Sequence, residues 1–173
     1  MILLKEITTP SVFYEDAEHL LVEAFPVEER RPLAQQRDFT DHNRLFQAQV
    51  IICNFDFAGI LNTWYLGKVT YVEHLAIKKE LRGLGLASEA LTKLKLRGKP
   101  IILEVEPATD ETTKKRISFY EKNGFKMEPI IYEQPAYSSE LPTVPMRIMT
   151  YGTIEDLQGT IAQLKRDVYG VTN

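Results

Sequence analysis

The sequence predicts a mixed α/β (α+β) fold in which helices flank a twisted, mostly antiparallel sheet. The first observation is a series of short apolar runs of strand length, several joined by tight turns. The second is the apolar run Val69 to Ile77, which is followed by a glycine-rich turn, a helical pattern and another strand. Such a strand–helix–strand unit is right-handed and has parallel strands. The third is the length of 173 residues with 44% hydrophobic residues, which suits one domain with a full core.

The first third of the chain contributes a strand, a helix and a hairpin. A short strand is predicted over residues 2–7, and apolar residues recur at helical spacing from Phe13 until Pro26 ends the pattern. The charged segment from Glu28 to Pro32 predicts a short exposed helix or loop. Two strands follow, over residues 45–53 and 57–66, and Asn54 and Asp56 between them suit a hairpin turn.

The rest of the chain alternates strands and helices. A helix that begins near Leu86 places its apolar residues on one face, with Gly98 suited to its C-terminal cap and Pro100 preventing continuation. The remaining predicted elements are a strand over 101–106, a helix over 112–122 and strands over 125–132 and 145–151.

A last helix is predicted over about residues 153–169 of this single domain. Thr153 with Asp156 three residues later suits a helix start, and an apolar stripe runs from Ile154 to Val168. The stripe packs either on the body of the protein or on a second copy of the chain. A homodimer is therefore one of two open arrangements.

Composition and charge exclude several classes of partner. A formal net charge of −3 disfavours binding to a nucleic-acid backbone, which calls for a basic surface. The single cysteine, Cys53, lies in an apolar run and suits a buried thiol in a reducing cytoplasm. We expect no membrane span, no signal peptide and no metal site, since His19 and His42 have no partner at ligand spacing.

The most informative segment is the turn from Arg82 to Ala87. A glycine-rich turn at a helix N-terminus leaves backbone N–H groups free to bind a phosphate or pyrophosphate. A P-loop would need a Gly-Lys-Ser/Thr ending, which is absent. For a dinucleotide-binding fold, Gly83 and Gly85 are present with Glu104 about twenty residues later. However, Ser88 stands where that fingerprint has its third glycine, and a charged spacer separates the strand from the turn.

A third interpretation rests on the wider context of the turn. Arg82-x-x-Gly85-x-Ala87 matches the pattern Gln/Arg-x-x-Gly-x-Gly/Ala, and Ser118 to Phe125 contains Phe-Tyr-Glu-Lys-Asn-Gly-Phe. With the preceding strand over 71–77 and the following one over 102–107, residues 2–151 resemble the GNAT N-acetyltransferase family. Segments around Glu28 and Tyr132 are similar to one bacterial-type branch of it. The resemblance implies a GNAT-like sheet whose parallel fourth and fifth strands splay apart.

The resemblance implies direct transfer of an acetyl group from acetyl-CoA to a primary amine, with coenzyme A bound in that splay and no metal. Backbone groups near Leu75 to Ile77 would pair with the pantetheine arm, and N–H groups from Arg82 to Ala87 would hold the pyrophosphate. Thr113 stands where many members carry an asparagine that contacts the pantetheine arm, and Arg116 stands where many carry a small residue. The implied cofactor-binding residues are Leu75, Ala76, Ile77, Arg82, Gly83, Leu84, Gly85, Leu86, Ala87 and Thr113.

Three residues are candidates for the proton transfers that the chemistry needs. The resemblance implies that Tyr120 is the acid that protonates the departing thiolate. Glu73 leads as the base, because a carboxylate inside an apolar strand can have its pKa raised by burial. Glu104 is the next candidate, and alternation places it with Glu106 and Ile102 on one face of their strand. His74 points to the opposite face from Glu73 unless a bulge intervenes, which favours a structural role.

Two further functions stay open, and the acceptor amine is not identified by the sequence. The departures at Thr113 and Arg116 suit an acyl-CoA-binding or sensing module without transfer activity. A dinucleotide-dependent enzyme is the third hypothesis. Acceptor specificity is expected in the segments 25–37 and 133–144, with aromatic side chains that either wall a pocket or pack in the core, namely Trp64, Tyr65, Tyr132 and Tyr137.

Overall fold

A computed structural model describes residues 1–172 as an eight-stranded sheet with helices on both faces. The strands are β1 (Ile2–Glu6), β2 (Phe46–Cys53), β3 (Asp56–Leu66), β4 (Val69–Ile77), β5 (Ile101–Val105), β6 (Lys126–Met127), β7 (Tyr132–Gln134) and β8 (Val144–Tyr151). The helices are α1 (Tyr14–Ala24), α2 (Leu33–His42), α3 (Leu86–Lys95), α4 (Glu111–Lys122) and α5 (Leu157–Tyr169). The strand order is β1-β2-β3-β4-β5-β8-β6, and β7 also pairs with β8.

The parallel pairing of β4 with β5 confirms the predicted topology and is short. It extends only from Thr70 opposite Ile101 to Val72 opposite Leu103, whereas β4 continues to Ile77. The other strand pairs within residues 1–172 are antiparallel. Beyond Val72 the two strands separate, so one edge of β4 is free of a neighbouring strand.

Side-chain alternation divides the core between the two faces of the sheet. Helices α1 and α5 cover one face, where Leu20 and Leu164 pack with Ile60 and Ile102. Helix α3 covers the other face, where Leu91 packs with residues such as Leu61, Leu103 and Val105. The predicted separation of Ile102 from Leu103 and Val105 is therefore confirmed. The apolar stripe of α5, with Ile161, Leu164 and Val168, packs on the core of its own chain.

Three elements differ from the sequence-based prediction. The predicted strand over 125–132 is divided into β6 and β7, because Pro129 lacks the N–H that a continuous ladder needs. Helix α5 begins at Leu157 and not at Thr153, since the Asp156 side chain accepts a hydrogen bond from the Gly159 N–H and caps it. Helix α2 was not predicted, because of its ten residues only Gln36 is buried and its apolar periodicity is weak.

The segment before α2 also differs from its predicted exposure. A short 3₁₀ turn, Val27–Glu29, leads into Arg31, which is only 1% exposed. Buried arginines are rare unless their charge is paired. In residues 1–172, no helix has the length and apolar character needed to cross a membrane.

Candidate functional site

The separation of β4 from β5 opens a cavity of about 940 Å³. One end is lined by the second half of β4 and the turn before α3, and the other by carboxylates and aromatic residues that include Glu73, Glu104 and Tyr137. Both segments expected to set acceptor specificity reach it, through Phe25 and Glu29 from the first and Gln134 and Tyr137 from the second.

The turn before α3 presents a row of free backbone donors to this cavity. Gly83 and Gly85 have φ angles of 80° and 78°, and Gly85 is the N-cap of α3. From Gly83 to Ser88, no backbone N–H donates a hydrogen bond to any group within residues 1–172. Six successive donors at the positive end of a helix dipole form a site for a phosphate or pyrophosphate group.

The edge of β4 supplies the neighbouring wall of the cavity. Leu75, Ala76 and Ile77 line it, and this part of β4 has no partner on the β5 side. The Arg82 side chain folds back so that its Nε donates to the Ile77 carbonyl at 3.1 Å. The Arg82 guanidinium therefore binds the carbonyl at the end of β4, and Arg82 also lines the cavity.

Two of the ten residues expected to bind the cofactor lie outside the cavity lining. Leu84 is 66% exposed, because it stands between the two left-handed glycines and points to solvent. Thr113 forms the capping box of α4 with Asp110, so its hydroxyl is already engaged by the chain. Arg116 and Phe119, one and two turns further along the same helix, line the cavity. The Thr113 hydroxyl would have to leave these partners to contact a cofactor, so that contact stays a prediction.

Tyr120 lies where α4 meets the cavity. Its side chain is 9% exposed, and its ring packs edge-on against Phe119 and Phe125. Its hydroxyl makes no hydrogen bond within the part of the chain that the structure describes. Burial raises the pKa of Tyr120 to about 12, so the phenol keeps its proton near neutral pH and can donate it.

Glu104 lies at the wall of the cavity and is surrounded by tyrosine hydroxyls. Tyr169 and Tyr71 donate to its Oε2 at 2.8 and 3.1 Å, and Tyr132 donates to its Oε1. Burial raises the pKa of Glu104 to about 7, although the three hydroxyls act in the opposite direction. A carboxylate with this pKa is deprotonated in a large fraction of molecules at neutral pH and can accept a proton there.

The pKa of Glu73 is lowered overall, and not raised as the sequence predicted. Burial acts in that direction, but the Arg31 guanidinium forms an ion pair with the Glu73 carboxylate and the net effect holds its pKa below the ordinary value. Trp64 Nε1 and the Tyr137 hydroxyl also donate to this carboxylate, at 2.8 and 2.7 Å. Glu73 therefore remains ionised beside a fixed cation, and its lowered pKa makes it a poor proton acceptor.

A β-bulge explains the position of Glu73. In the pairing of β3 with β4, His74 is opposite Asn62 and Val72 is opposite Thr63, so Glu73 has no partner. The bulge brings His74 to the same side, with its Nδ1 3.9 Å from Glu73 Oε2. His74 Nε2 contacts the Glu29 carbonyl at 2.9 Å, and burial lowers the pKa of His74, which keeps the imidazole neutral and structural.

Arg31, which forms the ion pair with Glu73, was not identified as a site residue from the sequence. Its guanidinium carbon lies 5.1 to 5.4 Å from the ring centroids of Phe39, Phe46, Trp64 and Tyr137. Its Nη1 also donates to Gln36 Oε1 at 2.6 Å. The sequence feature that could have drawn attention to Arg31 is Pro32, which ends the charged run directly after it and before α2.

Two carboxylates meet at the mouth of the cavity. Burial, and then the neighbouring Glu106 carboxylate, raise the pKa of Glu29 to about 7. Arg116 Nη1 donates to Glu106 Oε2 at 2.5 Å.

Tyr71 and Tyr169, which donate hydrogen bonds to Glu104, were also not identified from the sequence. The period of two in β4 could have placed Tyr71 on the face that Glu104 approaches. Tyr169 could have been found from its position eight residues after Ile161, on the apolar face of α5.

The remaining aromatic residues divide between wall and core. Tyr137 lines the cavity, whereas Trp64 is buried beneath Glu73. Tyr65 is 49% exposed and lies away from the cavity lining. The centroid of its ring is 3.7 Å from Lys99 Nζ. Across residues 1–172, no three His, Cys, Asp or Glu side chains come together in a way that could hold a metal ion.

Comparison with known proteins gives a family match and a whole-chain match. Residues 41–127, about half of the chain, match the family model described as acetyltransferase (GNAT) domain. A solved structure from Bacteroides thetaiotaomicron, described as "Putative acetyltransferase from GNAT family", is 36% identical to this chain with a TM-score of 0.92. That match covers 98% of this chain and 99% of the other.

Two further comparisons are more limited in extent or identity. "Putative acetyltransferase YjbC" of Bacillus subtilis (strain 168) is 45% identical over 58 residues, which are 32% of this chain and 30% of that protein. The matched part therefore spans less than a third of that curated relative. A GNAT family acetyltransferase from Elizabethkingia anophelis with acetyl-CoA bound has a TM-score of 0.61 at 14% identity, over 88% of this chain and 98% of that one. At that identity the likeness shows the fold alone.

Proposed function

Because the chain belongs to the GNAT acetyltransferase family, we propose that it transfers an acetyl group from acetyl-CoA to a primary amine in the cavity between β4 and β5. The observation that carries the proposal is the division of this cavity. One end has free backbone N–H groups that fit a phosphate, and the other has a carboxylate with a pKa of about 7 and a phenol that stays protonated at neutral pH.

The donor end of the cavity fits coenzyme A. Six free N–H groups from Gly83 to Ser88 match the acceptor oxygens of a pyrophosphate, and the free edge of β4 offers backbone groups to an amide-bearing arm. When bound, acetyl-CoA supplies the acetyl group as a thioester. The solved relative with acetyl-CoA bound shares the fold and supports this choice of donor.

In the proposed reaction Glu104 takes the proton of the acceptor ammonium. The amine nitrogen must be neutral to attack the thioester carbon, yet an alkylammonium is protonated near neutral pH. With a pKa of about 7, the Glu104 carboxylate can accept that proton directly or through one water. Because Glu73 is paired with Arg31 and Glu106 with Arg116, the carboxylates that favour a cationic acceptor at this end are those of Glu29 and Glu104.

Tyr120 completes the proposed reaction at the leaving sulfur. As the new N–C bond forms and the C–S bond breaks, the sulfur acquires the electron pair of the broken bond. The Tyr120 hydroxyl, which has no partner within residues 1–172, donates its proton to that sulfur. The acylated nitrogen then releases its second proton, a proton returns through solvent to the Tyr120 phenolate, and Glu104 gives its proton to solvent. The products are an N-acetylated amine and free coenzyme A.

The direct test is to mix the protein with acetyl-CoA and a panel of polyamines, aminoglycosides, amino acids and lysine peptides, and to follow free thiol. We expect release with at least one acceptor, and a loss of at least about 100-fold in Glu104→Gln. Glu15→Gln, an exposed substitution outside the cavity lining and outside both specificity segments, is the matched control.

A second function is favoured by the Thr113 capping box and by Arg116, because neither offers the usual contacts to the cofactor arm. This alternative is an acyl-CoA-binding module without transfer activity. Tight coenzyme A binding with no thiol release for any acceptor would favour it over the enzyme.

A further inference from the structure

The carboxylate of Glu104 is held from three different parts of the fold. Tyr71 on β4 and Tyr169 at the end of α5 contact Oε2, with their own hydroxyl oxygens 3.2 Å apart. Tyr132 on β7 contacts Oε1. Since both carboxylate oxygens are engaged, the orientation of Glu104 is set by these hydroxyls and not by β5 alone.

Helix α5 places Tyr169, its last residue, next to the Glu104 carboxylate. Its stripe of Ile161, Leu164 and Val168 fixes the helix on the sheet, and Gly170 ends it with a φ of 71°. The Tyr169 ring packs against Tyr137, with ring centroids 4.9 Å apart. The last residue of the helix is therefore held both by its ring and by its hydroxyl.

We propose that Tyr169 is a positioning residue for Glu104, and that its hydroxyl holds the carboxylate in place and stabilises the charged form. This inference rests on the proposed role of Glu104 as the proton acceptor. It makes α5, which lies outside the residues 41–127 that match the family model, a part of the catalytic machinery. Tyr169 acts through Glu104, whereas Tyr120 acts on the leaving sulfur.

Other charged and titratable groups also act on Glu104 and must be kept constant in a test. On β4, Tyr71 donates a hydrogen bond and the Glu73 carboxylate opposes ionisation. Tyr132 donates from β7 and has Lys165 of α5 5.3 Å from its ring centroid. Tyr137 lies against Tyr169. The substitution Tyr169→Phe removes one hydroxyl and leaves each of these groups in place.

The test is a carbon NMR titration of the glutamate carboxyl groups in the full-length protein, with the Glu104 signal assigned by its absence in Glu104→Gln. Because a hydrogen bond to the charged form lowers a pKa, we expect Tyr169→Phe to raise the Glu104 pKa by about one unit. Tyr65→Phe, whose ring is exposed and outside the cavity, is the matched control and should leave the Glu104 titration unchanged.

The outcomes separate this inference from the proposed function. An unchanged Glu104 titration in Tyr169→Phe, with an unchanged melting temperature, would overturn the positioning role. If Tyr169→Phe does not fold, Tyr169→Met provides the same test without a ring. Because the titration needs no acceptor amine, its outcome is independent of thiol release. Full activity in Glu104→Gln would instead overturn the proposal that Glu104 is the base.

Discussion

Glu73 and Glu104 are both buried acids on the same cavity, and their partners give them opposite properties. Glu73 faces a guanidinium and stays ionised, whereas Glu104 faces only neutral hydroxyls and has a pKa of about 7. The fixed charge of Glu73 also raises the pKa of Glu104, although burial acts more strongly. The two glutamates therefore suit different parts of the proposed reaction, Glu73 as a fixed anion and Glu104 as the proton acceptor.

Tyr120 provides a prediction for the acid. Replacing it by phenylalanine keeps the ring packing against Phe119 and Phe125 and removes only the proton donor. We expect turnover to fall by about 10–100-fold, with an unchanged dissociation constant for coenzyme A, as measured by thiol release and calorimetry. Tyr65→Phe serves as the control. Full turnover in Tyr120→Phe with a good acceptor would remove Tyr120 as the acid.

The buried ion pair provides a prediction for stability. Arg31→Met leaves the Glu73 carboxylate buried without its cation, which should lower the free energy of unfolding by about 3–5 kcal/mol in urea titrations. The matched control is Arg37→Met, which breaks the pair with Glu18 on the surface and should have a much smaller effect. Equal losses in the two variants would contradict the role of Arg31.

At the scale of elements, the turn before α3 depends on two left-handed residues. A side chain at Gly85 finds open space, so the restriction there is the φ angle of 78° and not a clash. A side chain at this position is therefore expected to act through backbone strain, which reorients the neighbouring N–H groups. An L-residue in this conformation costs about 1–2 kcal/mol.

We expect Gly85→Val to weaken coenzyme A binding by about tenfold, as measured by calorimetry, because relief of the strain moves the free N–H groups. The matched control is Gly67→Val, in the turn between β3 and β4, where φ is 63° and the space is also open. Both variants should lose thermal stability, but only Gly85→Val should lose affinity. Equal affinity in both would show that the turn does not bind the cofactor.

At the scale of the whole molecule, Glu104 couples the stability of the fold to pH. Its pKa in the folded state is about 7, against an ordinary value of 4.5. The folded state therefore binds more protons than the unfolded state between these values. The contribution of this group to stability is fully present below about pH 4.5 and is lost as the pH rises towards 7.

This linkage predicts the difference between the wild type and Glu104→Gln. From pH 5 to pH 7.5, the wild type should lose on the order of 2 kcal/mol of unfolding free energy relative to the variant, measured by urea titration at each pH. Using the difference cancels the opposite contribution of His74, whose pKa is lowered by burial. A pH-independent difference would mean that Glu104 titrates at its ordinary value.

The sequence by itself determined the features that depend on local physics. A period of two gave the strands and the side of Glu104, a period of 3.6 gave α1, α3 and α5, and the glycine spacing gave the tight turn before α3. The resemblance carried by Arg82 to Ala87 and Ser118 to Phe125 gave the family. Each of these signals lies within a few consecutive residues.

Only the tertiary structure decided how the two glutamates behave, because their pKa values depend on partners that are remote in sequence. Arg31 meets Glu73 from 42 residues away, and Tyr169 meets Glu104 from 65 residues away. A bulge, a buried cation and the end of the last helix set these contacts, and none of them follows from local periodicity. We therefore propose Glu104 and not Glu73 as the base, because a buried carboxylate keeps or loses its proton according to what packs against it.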